Sequence, residues 1–233
     1  MNYYEAWLQS GATWMKAYRK QLMRKHTHFI IPAVVLVLVA VFAFAAVSNG
    51  GTSEDITGGI FTGILLGAVV CGIYMLILLP GLSPKRMSRN IKSAVKLLDM
   101  SETEQEQLGR EMLEAEKDPA CVLEYKMVGP NSKGTPAKFI ISPNYACLWG
   151  GYPLVILVSL SRLADVRAAE ERKTAVTHGA KIDTHHRFDL HTITFYYKGS
   201  DQDGDNGMGF FDEAIRDEVF RMIEAQRADT VLH

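Results

Sequence analysis

Two long runs without a charged side chain constrain this sequence more than anything else in it. The first is Phe29–Ser48 and the second is Thr57–Leu79. Each is about 20 residues, the length at which an α-helix crosses a hydrocarbon layer roughly 30 Å thick. A backbone in lipid must satisfy its own hydrogen bonds, so both runs are expected to be helices. The first run holds thirteen Val, Leu, Ile and Phe residues. At about 0.3–0.6 kcal/mol each, they favour insertion by roughly 4–8 kcal/mol. A cleaved leader fits less well, despite the small-x-small spacing of Ala43-Phe44-Ala45. Its apolar segment would be only about 7–15 residues. The short stretch Ser48–Ile56 has no room for a domain, so the helices are expected to be antiparallel neighbours. The reading is a membrane α-helical hairpin over residues 29–80, with spans 29–48 and 57–79.

Charge orients the hairpin. Lys16, Arg19, Lys20, Arg24 and Lys25 precede the first run, and Lys85, Arg86, Arg89, Lys92 and Lys96 follow the second. The loop between carries only Glu54 and Asp55. Positive residues stay on the cytoplasmic side, so the chain is expected in the cell membrane with both termini cytoplasmic. Residues 1–28 form an amphipathic basic segment in which Trp7, Trp14, Tyr18 and Leu22 share a helical face. Aromatic rings beside cations suit the membrane interface. Trp7, Trp14, Tyr18, Arg24, Lys25, Lys85, Arg86 and Arg89 are the candidate interface residues. The N-terminal segment could also pack on the soluble part of the chain or grip anionic lipid.

The second run carries small residues every four positions: Gly59, Gly63, Gly67 and Cys71. Such a stripe lets helix backbones approach closely in lipid. It serves either the seam of the hairpin itself or a homo-oligomer. Neither run holds an Asp, Glu, Lys, Arg or His, which argues against an ion path and a stand-alone transporter.

Residues 81–118 read as a helical linker. Met87, Ile91, Val95 and Leu98 share one face of a basic segment. Ser101 and Glu104 form a capping box that opens a Glu-rich helix, solvated on one side, to about Lys117. From Cys121 the period shortens to that of strands. Strands are expected at 121–128, 137–142, 145–149, 154–159, 164–174, 188–197 and 208–211, with 178–187 a loop or strand edge. A helix capped by Asp212 is expected to reach about Ala228. This is an α+β cytosolic domain over residues 119–230, and residues 118–233 are expected to fold alone. From Leu97 onward there are 15 Lys/Arg against 23 Asp/Glu, a net of −8. Nucleic acid is thereby disfavoured as a partner, because binding it needs cations that displace counterions. The three cysteines have no C-x-x-C spacing, and cytosolic thiols stay reduced.

Phe139-Ile140-Ile141-Ser142-Pro143-Asn144-Tyr145 and the step Val155–Val166, followed by a terminal helix, resemble bacterial pleckstrin-homology-like (PH-like) domains. The resemblance implies a bent antiparallel sheet or open barrel plugged by the C-terminal helix. It also implies kinship with small two-span bacterial membrane proteins, mostly of unassigned function. Related eukaryotic domains bind phosphoinositides through a basic first loop, but the matching loop Val128–Pro136 offers only Lys133.

Two constellations resemble metal sites only in part. Asp201–Gly207 has acids at alternate positions but departs from the calcium-loop pattern in its glycine and its twelfth residue. His178, His185, His186 and His191 lack the tight ligand spacing of zinc sites. No nucleophile elbow or phosphate loop is present, so the chain reads as a non-enzyme without a cofactor. The expected function is a membrane-anchored interaction or regulatory module with the bilayer and a protein as partners. The alternatives are an accessory subunit of a membrane enzyme or transporter, and a lipid-binding regulator.

Overall fold

The computed structural model describes residues 2–128, 134–177, 184–199 and 207–231, except for the side chains of 175–177, 184–186 and 229–231. The chain divides into two compact units, Thr13–Arg86 and a second made of Met1–Ala12 with Met87–His233.

α1 (Tyr3–Lys25), which belongs to the first unit from Thr13 on, passes through a π-helical turn, His26–Ile30, into α2 (Ile31–Ser48). The helix thus begins far upstream of the apolar run, and Pro32 lies inside it. Proline cannot donate to the carbonyl four residues back, and its ring crowds that carbonyl. The wider π turn just before it absorbs the mismatch. α3 (Ser53–Gly81) starts four residues before the expected Thr57. Thr52 and Asp55 form a capping box there, the Asp55 carboxylate accepting from the Thr52 N–H at 2.7 Å. Two acids in the first turn add a favourable interaction with the helix dipole. The interhelical loop is therefore Asn49–Thr52, shorter than expected.

α2 and α3 are antiparallel. A Cβ built at Gly59 would meet Phe42, one at Gly63 would meet Val39, and one at Gly67 would meet Val35. As the number rises on one helix it falls on the other. Both helices are long and apolar enough to cross a membrane. Phe29, Leu36, Phe44, Phe61, Leu76 and Ile77 all point outward and are mostly exposed. At one end Tyr74 and His26 stack, ring centroids 5.5 Å apart, with the Tyr74 hydroxyl 2.9 Å from His26 Nδ1.

The second unit contains an antiparallel four-stranded sheet and an antiparallel three-stranded sheet. The first has the order β1 (Val122–Met127), β2 (Thr135–Ile141), β3 (Tyr145–Gly150), β4 (Val155–Ser159). The second is β5 (Leu163–Thr177), β6 (Thr184–Tyr197), β7 (Gly207–Phe210). One core joins them, with Phe139, Leu148 and Val158 from the first sheet and Ile193, Phe195 and Met208 from the second. The C-terminal helix α6 (Glu213–Val231) adds Val219 and Ile223.

β3 is buried along its whole length, so both its faces are covered. On its outer face Trp149 and Cys147 are fully buried. The cover comes from segments expected to be juxtamembrane. Trp7 of α1 sits 6.2 Å from the Trp149 ring, and a Cβ on Gly11 would touch both Trp149 and Ile91. α4 (Pro84–Leu97) turns Met87, Ile91, Ala94 and Val95 inward, and its Asn90 side chain donates to the Pro153 carbonyl. α5 (Glu102–Ala115) completes the layer, with Gly109 so close to the Tyr3–Tyr4 backbone that a Cβ there would collide. Two expectations change accordingly. The stretch from Met87 to residue 118 is part of the folded unit and not a linker. Trp7 is a fully buried indole of that unit, not a ring at the membrane interface.

α5 keeps an exposed side at Glu102, Arg110 and Glu114, but others of its glutamates are clamps. Glu106 accepts the Tyr3 N–H at 2.9 Å, at the start of α1. Glu111 holds the β2–β3 turn, accepting from Ser142 Oγ and the Asn144 N–H at 3.1 Å each. Just past the helix, Glu116 takes Ser10 Oγ at 2.6 Å and Lys138 Nζ at 3.3 Å.

Candidate functional site

The most promising site in the second unit is a cleft at the free edge of β4. It is lined by Val155, Ile156, Leu157 and Val158, by Phe195 and Tyr197 of β6, by Gly207 of β7, and by Ala94, Leu97 and Leu98 at the end of α4. Its volume is ≈ 430 Å³. Side chains of a strand alternate between faces. A cavity touched by four consecutive residues therefore lies beside the strand, where its backbone is open.

Among the described residues β4 pairs only with β3. The Gly150 N–H to Leu154 carbonyl bond fixes the phase of that ladder. In an antiparallel pair, hydrogen-bonded and non-bonded positions alternate. Ile156 and Val158 thus turn their backbone groups to β3. Val155 and Leu157 turn theirs outward, to the cleft. Leu97, 86% exposed, stands at the rim.

A second hollow of ≈ 430 Å³ shares Leu97, Leu98 and Tyr197 and adds Asp99, Ser161, Arg162 and Lys198. Arg162 fastens this end. It donates to the Leu98 carbonyl at 2.6 Å and to Glu104 at 2.5 Å. The Ser101 N–H, the Arg162 guanidinium and the Ser101 hydroxyl together hold the Glu104 carboxyl down at about 2. Burial pushes the Tyr197 hydroxyl up. The site is an apolar slot with an open strand edge along one wall and a polar mouth. It can hold an extended apolar segment.

The residues singled out from sequence fall elsewhere. Gly59, Gly63 and Gly67 face α2, and Cys71 is buried on the same helix. The glycines of the stripe thus lie against α2 of the same chain. Trp14 and Tyr18 are half-buried and stacked, centroids 6.4 Å apart. Arg24, Lys25, Lys85, Arg86 and Arg89 are exposed. Among the described residues no His, Cys, Asp and Glu side chains gather as a metal-binding group. His178 and Asp201–Asn206 lie outside the described residues, as does Lys133. The cleft itself was not foreseen. Its one sequence signal was Leu97, an apolar residue off the buried stripe of a basic helix.

Comparison with family models, with curated proteins and with solved structures returned no match.

Proposed function

We propose that this protein is a membrane-anchored interaction or regulatory module whose cytosolic PH-like domain receives a protein partner as an added strand along β4. The observation that carries this reading is the cleft, which offers open backbone groups at Val155 and Leu157 between apolar walls. Strand addition to a sheet edge draws affinity from main-chain hydrogen bonds and specificity from the flanking pockets. The PH-like assignment is supported by the order of four strands, three strands and a closing helix, with one shared core. The hairpin anchor is supported by the outward apolar side chains of α2 and α3. In water so large an exposed apolar surface would drive association.

Pull-down of the intact protein in mild detergent, with partners identified by mass spectrometry, tests the module. Leu97→Asp puts a charge at the exposed rim, and Val155→Pro removes an outward N–H at a strand start, where proline is tolerated. Both variants are expected to lose the partner by about 10-fold or more, the cost of a hot-spot position. A partner held equally by wild type and both variants would place its binding elsewhere.

Topology has its own expected result. In intact cells an impermeant thiol reagent should label a cysteine at Ser53 and spare one at Glu224. The opposite pattern would reverse the orientation read from the basic collars.

A further inference from the structure

We infer that the exposed face of α4 is a docking surface for anionic membrane lipid, holding the sheet unit against the bilayer. The helix has two faces of opposite character. Met87, Ile91, Ala94 and Val95 are buried on one. Arg89, Lys92 and Lys96 lie exposed on the other, at spacings of three and four. No acid occurs between Pro84 and Leu98.

Among the described residues these three cations stand together on one helix face without an acid partner, whereas Arg110, Lys117 and Lys126, which also lack one, stand apart in the sequence. Elsewhere in the same unit Lys138, Arg162, Arg172, Arg216 and Arg227 each hold an acid within 4.0 Å. Among the described residues no acid pairs with Arg89, Lys92 or Lys96. Lys92 and Lys96 also border a hollow of ≈ 390 Å³ with Tyr4, Gln105 and Asp99. It is large enough for a phosphate, and Asp99, also on its wall, forms no ion pair with either lysine.

The chain supplies the proximity. Arg89 comes ten residues after Leu79, the last residue of the second apolar run. Ten residues reach at most about 35 Å even when fully extended. A basic cluster so tethered meets headgroups at high effective concentration. Each Lys or Arg near an anionic leaflet contributes about 1 kcal/mol. Setting topology needs only a local excess of cations, which Lys85 and Arg86 already supply. It does not require three more on one exposed face.

This inference rests on the anchor proposed above and is independent of the strand-edge partner. The test uses the full chain in nanodiscs, with Cys121 replaced by Ser and an environment-sensitive fluorophore on Ser93→Cys, an exposed position between Lys92 and Lys96. Discs of phosphatidylcholine alone are compared with discs holding phosphatidylglycerol. Docking predicts blue-shifted, brighter emission in the anionic discs that reverts in 0.5 M salt, where screening is strong. R89Q/K92Q/K96Q should lower the docked-to-undocked ratio about 100-fold, three cations at the stated increment. Its thermal melt in phosphatidylcholine discs should match wild type, since all three side chains are exposed. Equal emission in both discs, or an anionic response that survives the triple substitution, overturns the docking. A chain that does not enter discs overturns the anchor and the docking together.

Discussion

Residues 118–233 expressed alone should fail to fold, whereas residues 1–12 joined to 87–233 by a long flexible linker should melt cooperatively. The first piece contains every strand and the terminal helix. It lacks the layer that covers the outer face of β3. Trp149, Cys147 and Ile140 would pass from full burial to water, and Tyr145 nearly so. Burying a large apolar side chain stabilises by about 1.5–3 kcal/mol, so the loss is on the order of 6–10 kcal/mol. A whole domain has only about 5–15 kcal/mol to lose. Trp149 is the only tryptophan in 118–233 and therefore reports cleanly. Water-exposed emission and a broad, non-cooperative melt are expected. A sharp melt with buried-tryptophan emission would show that the helical layer is dispensable.

That dependence was partly written in the sequence. Tyr145-Ala146-Cys147-Leu148-Trp149-Gly150 has no polar residue at either phase of the strand period. A strand with one wet face alternates, and one buried on both faces does not. The run therefore announces that something lies on each side of it. It does not say what, because the cover comes from helices about 50 and 140 residues upstream. The other strands were legible for local reasons. Gly and Pro punctuate β1 to β4, and Phe188–Tyr197 alternates. The start of β6 was obscured by the polar stretch before Phe188. Glu106, Glu111 and the following Glu116 looked solvated because their partners, Tyr3, Ser10, Lys138 and Asn144, belong to other elements. The cleft was the least legible feature. It exists only through the register of β3 with β4 and the placing of the end of α4 beside them.

The glycine stripe of α3 was legible as spacing but not as a contact, and one substitution now separates its two uses. Gly63→Leu should strongly destabilise the helix pair, while Gly58→Leu on the same helix should not. A Cβ at Gly63 would lie 2.6 Å from the Val39 Cα and 2.8 Å from its nitrogen. Those are backbone atoms, which cannot rotate away as a side-chain tip can. The helices must separate, and the contacts that follow the stripe to Gly59 and Gly67 loosen with them. Overpacking of this kind costs about 1–3 kcal/mol, more where the backbone itself must move. At Gly58 nothing lies within 4 Å, so the added side chain meets only the surroundings of the helix. Thermal unfolding of the purified chain in detergent, followed with its mass by light scattering, reads both effects. The expected outcome is a large fall in Tm for Gly63→Leu, little change for Gly58→Leu, and the same mass for both as for wild type. A Gly63→Leu chain that keeps its Tm but drops from dimer to monomer would show that the stripe joins two chains and that α2 does not fill it.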